Sequence, residues 1–141
     1  MRRRTFGAAG SIGLAGWATL WPLRAVAQAA QSMRGFMDRA FEMRRRAAAG
    51  GDHPYGAVVV KAGRIVAESP SRVVTANNVD AHAEREAMRL ARAALGSTDL
   101  AGCILVSSSR PCSRCERAAF ESGIARMIHG ESLTGAGAPR G

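Results

Sequence analysis

Asp80-Ala81-His82-Ala83-Glu84, read together with Pro111-Cys112-Ser113-Arg114-Cys115, is the pairing around which the chain is arranged. One imidazole and two thiols are the nitrogen and sulfur donors that zinc prefers. A structural zinc takes about four protein ligands, whereas a catalytic one takes about three and keeps a position open. Cys112 and Cys115 stand three apart in the first turn of an expected helix, so both thiols can face one ion. The helix N-terminus and the metal together favour their ionised forms. His82 lies in the first turn of the preceding expected helix. No fourth protein ligand is evident: His53 and His129 are candidates, but neither has a motif around it, and each reads more simply as a surface or core histidine. Glu84, two residues after His82, can border the same cavity. A carboxylate so placed takes a proton from a metal-activated water and passes it to a leaving nitrogen, acting as base and then as acid.

Working outward, Ala57-Val58-Val59-Val60-Lys61 and Arg64-Ile65-Val66-Ala67-Glu68 are β-branched runs joined by Ala62-Gly63, the pattern of a tight hairpin. Pro70 to Val79 reads as a loop with Asn77-Asn78 as turn residues. A helix is expected from Ala81 to Leu95, capped by Asp80, closed by Gly96, with Ala83, Ala87, Leu90, Ala91 and Ala94 as its apolar stripe. Cys103-Ile104-Leu105-Val106 is a buried strand in which Cys103 is an inert thiol. Pro111 opens a third helix to Ser122. Ala125 to His129 is a short strand, and the Gly-rich residues from Gly130 are expected to be loose. Before all of these, Ser32 to Ala49 reads as a helix: Met33, Phe36, Met37, Ala40 and Phe41 recur on one face, Ser32 caps its start and Gly50-Gly51 ends it. The element order describes an α/β layered domain, with parallel pairing and right-handed crossovers in its strand-helix-strand portion.

The 141 residues are enough for one domain with a modest core. Three cysteines do not make a disulfide framework. The net charge is +9, but Arg2, Arg3, Arg4 and Arg24 fall in residues 1 to 30, so the rest of the chain is only moderately basic. A solvated surface therefore accounts for the charge better than a nucleic-acid patch does. Residues 1 to 30 read as an export signal. Arg3-Arg4-Thr5-Phe6 resembles the twin-arginine motif, a weakly apolar run follows from Ala8 to Leu23, and Ala25-Val26-Ala27 fits a cleavage site. The run is too Gly-rich and too interrupted by Trp21-Pro22 for a stable membrane span. The expected organisation is thus an export signal over 1–30, directing the protein to the periplasm, and a metal-dependent domain over 31–141. A twin-arginine route carries folded proteins, so on that resemblance the metal is loaded before export.

Cys-x-x-Cys alone also suits a redox pair, but a redox reading leaves His82 and Glu84 unexplained. The combination His-x-Glu with Pro-Cys-x-x-Cys resembles the cytidine deaminase-like zinc hydrolases. Within them, Phe36 to Ala40, Pro54 to Val60 and Asp99 to Cys103 are most similar to the guanine deaminase and tRNA adenosine deaminase branch. The resemblance implies a three-layer α/β/α fold with a mixed sheet and a homodimer. It implies Zn2+ held by His82, Cys112 and Cys115, with Glu84 as the catalytic proton shuttle. It also implies substrate contacts at Ser71 and at the backbone of Gly56 and Ala57. The implied reaction is hydrolytic deamination of a nucleobase or nucleoside, with ammonia released and a guanine-like base as substrate. Export disfavours a tRNA substrate, and no nucleic-acid partner is expected. The chain departs from the branch at Ser71, where an Asn is usual, and at Arg110, where a Glu is frequent. It also departs after the last expected strand, where a further strand and C-terminal helices would follow. The alternative is a zinc-stabilised binding domain of the same fold with impaired catalysis.

Overall fold

The structure, a computed structural model, describes residues 21–141, with side chains from Met33 onward. The expected export segment lies outside the described residues up to position 20. Its remainder, including Ala25-Val26-Ala27, belongs to helix α1 (Trp21–Ala49). Ser32 therefore lies inside a helix and is not its cap; the Ala- and Gln-containing run before it has good helix propensity and continues the element backwards. No helix among the described residues is long and apolar enough to cross a membrane.

Five strands form one mixed sheet: β1 (Gly56–Lys61), β2 (Arg64–Pro70), β3 (Cys103–Ser107), β4 (Arg126–His129) and β5 (Thr134–Gly137), in the order β2-β1-β3-β4-β5. Helices α2 (Ala83–Leu95) and α3 (Ser113–Glu121) complete the domain. β1 is paired on both sides and buried from Gly56 to Val60, which is why it is written as an almost unbroken apolar run. Alternation along it sorts the core into two layers. Val58 and Val60, with Val106 and Ile128, pack against Met37 and Ala40 of α1. Ala57 and Val59, with Leu105 and Met127, pack under Ala83, Ala87, Met88 and Ala91 of α2 and Ala119 of α3. The molecule is α1, then sheet, then α2 and α3. Leu90 and Ala94, expected in the α2 stripe, point outward, and Met88 takes the buried position.

The hairpin β1–β2 turns through Ala62 (φ 48°) and Gly63 (φ 74°). Two successive left-handed residues are the geometry of a type I′ turn, which matches the twist of the strands it joins. Ala62 is held there against its own preference. Ala62→Asn should therefore raise unfolding free energy by about 0.5–1 kcal/mol, read from the urea midpoint at unchanged m-value. An unchanged or lower midpoint would mean that the strain is relieved elsewhere.

Two expectations about the sheet need correcting. β2 and β3 are not neighbours. β1 lies between them and runs antiparallel to both, so β2 and β3 point the same way without pairing, and only β3–β4 is a parallel pair. The hairpin puts β2 on one side of β1, and the crossover through α2 brings β3 back to the other side. Nor is the Gly-rich end loose: Thr134–Gly137 pairs antiparallel with β4, Thr134 opposite His129 and Gly135 opposite Ile128. This edge strand is carried by backbone bonds and by Ala136 packed on the core, so it has little side-chain pattern to read. The fifth strand is thus present, and no helix follows it among the described residues.

Candidate metal centre and active site

Because β2 and β3 run in the same direction, the chain leaves both at one edge of the sheet. The helices that follow, α2 and α3, begin there on the same face. β1 enters between them, so the residues just before it, His53 and Tyr55, complete the wall of a cavity of about 420 Å³. Ser71, Val73, His82, Glu84, Arg110 and Cys112 also line it.

Both helix starts differ by a residue or two from expectation, in the same way. His82 is the N-cap of α2 (φ −62°, ψ 149°) and Cys112 the N-cap of α3 (φ −70°, ψ 166°). Neither side chain caps its helix. Their carbonyls accept the first helical bonds, from Glu86 N–H and Glu116 N–H, each at 2.9 Å. Asp80, the expected cap, instead accepts from Arg85 (3.3 Å) and Arg114 (3.2 Å), a salt link between the two helix starts. At an N-cap a side chain is free to turn away from the helix axis, and here each turns toward the other helix. His82 Nδ1 lies 3.8 Å from Cys112 Sγ and 3.4 Å from Cys115 Sγ.

The donor atoms of His82, Cys112 and Cys115 all lie within 4.8 Å of one another. Tetrahedral zinc at ordinary bond lengths separates a nitrogen from a sulfur ligand by about 3.6 Å, and two sulfurs by about 3.8 Å. The three donors fit such an ion, and two of them, His82 and Cys112, line the cavity. His53 lines the cavity and His129 sits in β4, but neither joins this donor group among the described residues.

Glu84 is buried at 6% exposure and also lines the cavity. Burial pushes its carboxyl above the ordinary glutamate range, against the pull of its own backbone N–H, the His82 charge and the Cys115 thiol. Its Oε2 is 3.8 Å from Cys115 Sγ. The Cys115 thiol is pushed up as well, by burial first and then by the negative charge of Glu84. A thiol in that setting becomes a thiolate only when a cation accompanies it.

Of the three expected substrate contacts, one lies on the cavity wall and two do not. Ser71 lines the cavity, but it is buried and its hydroxyl donates to Asp52 Oδ1 at 2.8 Å. Gly56 and Ala57 do not line the cavity. Gly56 N–H donates to Ser108 Oγ at 3.1 Å and its carbonyl accepts from Ser108 N–H at 2.9 Å, so its backbone groups are engaged. A Cβ at Gly56 would lie 2.2 Å from the Ala40 carbonyl oxygen, so this glycine is there to let β1 approach α1.

Asp52 is a residue that the motif reading missed. Its Oδ2 accepts from Val74 N–H, Thr75 N–H and the Thr75 hydroxyl, and its Oδ1 accepts from His53 N–H as well as Ser71. Burial works against its charge, yet these donors outweigh burial and hold its carboxyl well below the usual range. It pins the 71–75 loop to the cavity wall. Nothing in the sequence marks it beyond an aspartate after Gly50-Gly51.

A model of the cytidine and deoxycytidylate deaminase zinc-binding region matches residues 30–131. The chain belongs to this family. Its sheet, three helices and zinc-binding region are those of cytidine deaminase-like domains. The guanine deaminase of Bacillus subtilis is 48% identical over 62 residues, 44% of this chain and 40% of that protein. The tRNA-specific adenosine deaminase of Agrobacterium fabrum is 38% identical over 95 residues, 67% of this chain and 62% of that protein. The crystal structure of the Bacillus subtilis guanine deaminase superposes with a TM-score of 0.66 at 36% identity, covering 68% of this chain and 62% of that one. The chain spans less than two thirds of the length of each of these relatives.

Proposed function

We propose that this protein is a zinc-dependent deaminase of a nucleobase or nucleoside, with a guanine-like heterocycle as its substrate. The observation that carries the proposal is a three-donor group, His82, Cys112 and Cys115, two of whose members line one cavity with the buried carboxyl of Glu84. A zinc ion there supplies Lewis acidity, which makes water a nucleophile near neutral pH. Glu84 takes the proton that water loses as its oxygen adds to the amidine-like carbon. The same carboxyl then delivers a proton to the exocyclic nitrogen. The carbon–nitrogen bond breaks, ammonia leaves, and the remaining hydroxyl proton passes to the ring nitrogen, so that a carbonyl remains. A carboxyl pushed up by burial suits both halves of that transfer better than an ordinary one.

Ligand size supports a small molecule: a cavity of about 420 Å³ is in the range of ordinary small-molecule sites. The similarity to a guanine deaminase supports a purine. The twin-arginine-like stretch Arg3-Arg4-Thr5-Phe6 supports export to the periplasm, which cell fractionation of the full chain checks against a variant with both arginines replaced by Lys. A homodimer completes the proposal, with exposed Val74 and Val79 on the loop beside the cavity as apolar contacts, checked by sedimentation.

The deciding experiment incubates zinc-loaded protein with a panel of bases and nucleosides and measures ammonia. Turnover of at least one amino-substituted heterocycle, lost on chelation and restored by zinc, is the expected result. A second reading, a zinc-stabilised binding domain, draws on Ser71, whose hydroxyl is turned to Asp52. Binding of bases without ammonia from any of them would establish it instead.

A further inference from the structure

Arg110 lines the cavity two residues before Cys112. Among the described residues Arg110 has no ion-pair partner, as is true of Arg34, Arg44, Arg45, Arg64, Arg72, Arg92, Arg117 and Arg126, but of these it alone lines this cavity. Among the lining side chains the one acid is Glu84, buried beside the metal group. The open part of the wall therefore carries an uncompensated positive charge. That charge is also well placed. Pro111 restricts the backbone of Arg110 to extended conformations. The segment is anchored behind by the reciprocal Ser108–Gly56 hydrogen bonds and ahead by the start of α3 at Cys112.

A guanidinium donates and never accepts, and it stays charged at any working pH. What faces it must bring acceptor oxygens, and an anionic group forms the strongest such pair. Ser71, also on the wall, is short, buried and already donating to Asp52, so it offers a ligand little.

We infer that Arg110 is a specificity-determining residue that selects an anionic substrate, an amino-substituted heterocycle bearing a carboxylate or a phosphate. This rests on the deaminase reading for the reaction but not for the binding. The test uses zinc-loaded full chain and matched substrates: guanine, guanosine, guanosine 5′-monophosphate and a purine carboxylate bearing an amino group. It reads the ratio of kcat/KM for each anionic substrate to that of its neutral partner. The ratio should exceed ten at low ionic strength and shrink as salt is added. Arg110→Ala should lower it by about 10- to 100-fold, Arg110→Lys by less, and Arg110→Glu should invert it. The phosphate and carboxylate arms separate the two sources of charge. A ratio near one in the parent, or the same ratio in Arg110→Ala, overturns the inference while ammonia release leaves the deaminase reading standing. A binding arm is independent of turnover. The purine carboxylate and inorganic phosphate should each raise the melting temperature of the zinc-loaded parent but not of Arg110→Glu. If they do so while no substrate yields ammonia, the anion site stands and the deaminase reading falls. If they stabilise both proteins equally, the anion site falls.

Discussion

Glu84→Gln should lower kcat by about 10²- to 10⁴-fold, the range for removal of a general acid–base group, while zinc content stays at the parental value. The amide keeps the shape and loses the proton-carrying function. Glu84 is at position N2 of α2, its side chain reaches Cys115 Sγ at no closer than 3.8 Å, and the metal group is complete without it. Stripped of metal, the variant should also melt no lower than the stripped parent. The carboxyl sits at 6% exposure, where its charged form is disfavoured, and a neutral amide relieves that burden. Lost turnover with retained metal and undiminished stability is a combination that misfolding does not produce. Loss of zinc in this variant would make Glu84 a ligand, and turnover within a few-fold of parental would move the proton to another group.

The candidate ligands were legible because their chemistry is local. Two cysteines three apart and a histidine with a glutamate two residues later define a site before any fold is known, and the structure brings the three donors within 4.8 Å. The hairpin was legible for the same reason, since Ala62-Gly63 sits between two β-branched runs. Less legible was everything that depends on distant pairing. That β1 separates β2 from β3 is not written in any window of sequence, yet it decides that His53 and Tyr55 join the cavity wall. The helix starts at His82 and Cys112 were misjudged because Asp80 and Pro111 are strong start signals by propensity. Tertiary geometry outweighed both: at an N-cap a side chain can turn off the helix axis, and His82 and Cys112 each turn toward the other helix. Asp52 was invisible because its five donors come from the 53–75 segment, one adjacent and the rest some twenty residues away. The strand at Thr134–Gly137 was invisible because glycine pairs through its backbone and leaves no periodicity.

Removal of zinc should destabilise the protein without unfolding it outright. Two apolar layers on either side of the sheet, built on Met37 and Val58 in one and Leu105 and Met127 in the other, do not involve the metal. The metal would join α2 to α3 where, apart from the exposed Asp80–Arg114 pair, the two helix starts have little to hold them together. An ion that binds only the folded state stabilises it by about 4 kcal/mol at a thousand times its Kd, which in a domain of this size lowers the melting temperature on the order of 10 °C when the ion is withdrawn. Thiol chemistry gives a second readout. With zinc bound, neither Cys112 nor Cys115 should react with a disulfide reagent. After chelation, exposed Cys112 should react first and buried Cys115 slowly, because burial disfavours its thiolate. Cys115→Ser should reproduce the chelated melting temperature and be insensitive to added zinc. If chelation leaves the melting temperature unchanged and the freshly purified protein shows two reactive thiols, then Cys112 and Cys115 are a redox pair rather than ligands. Glu84 would then have no water to deprotonate.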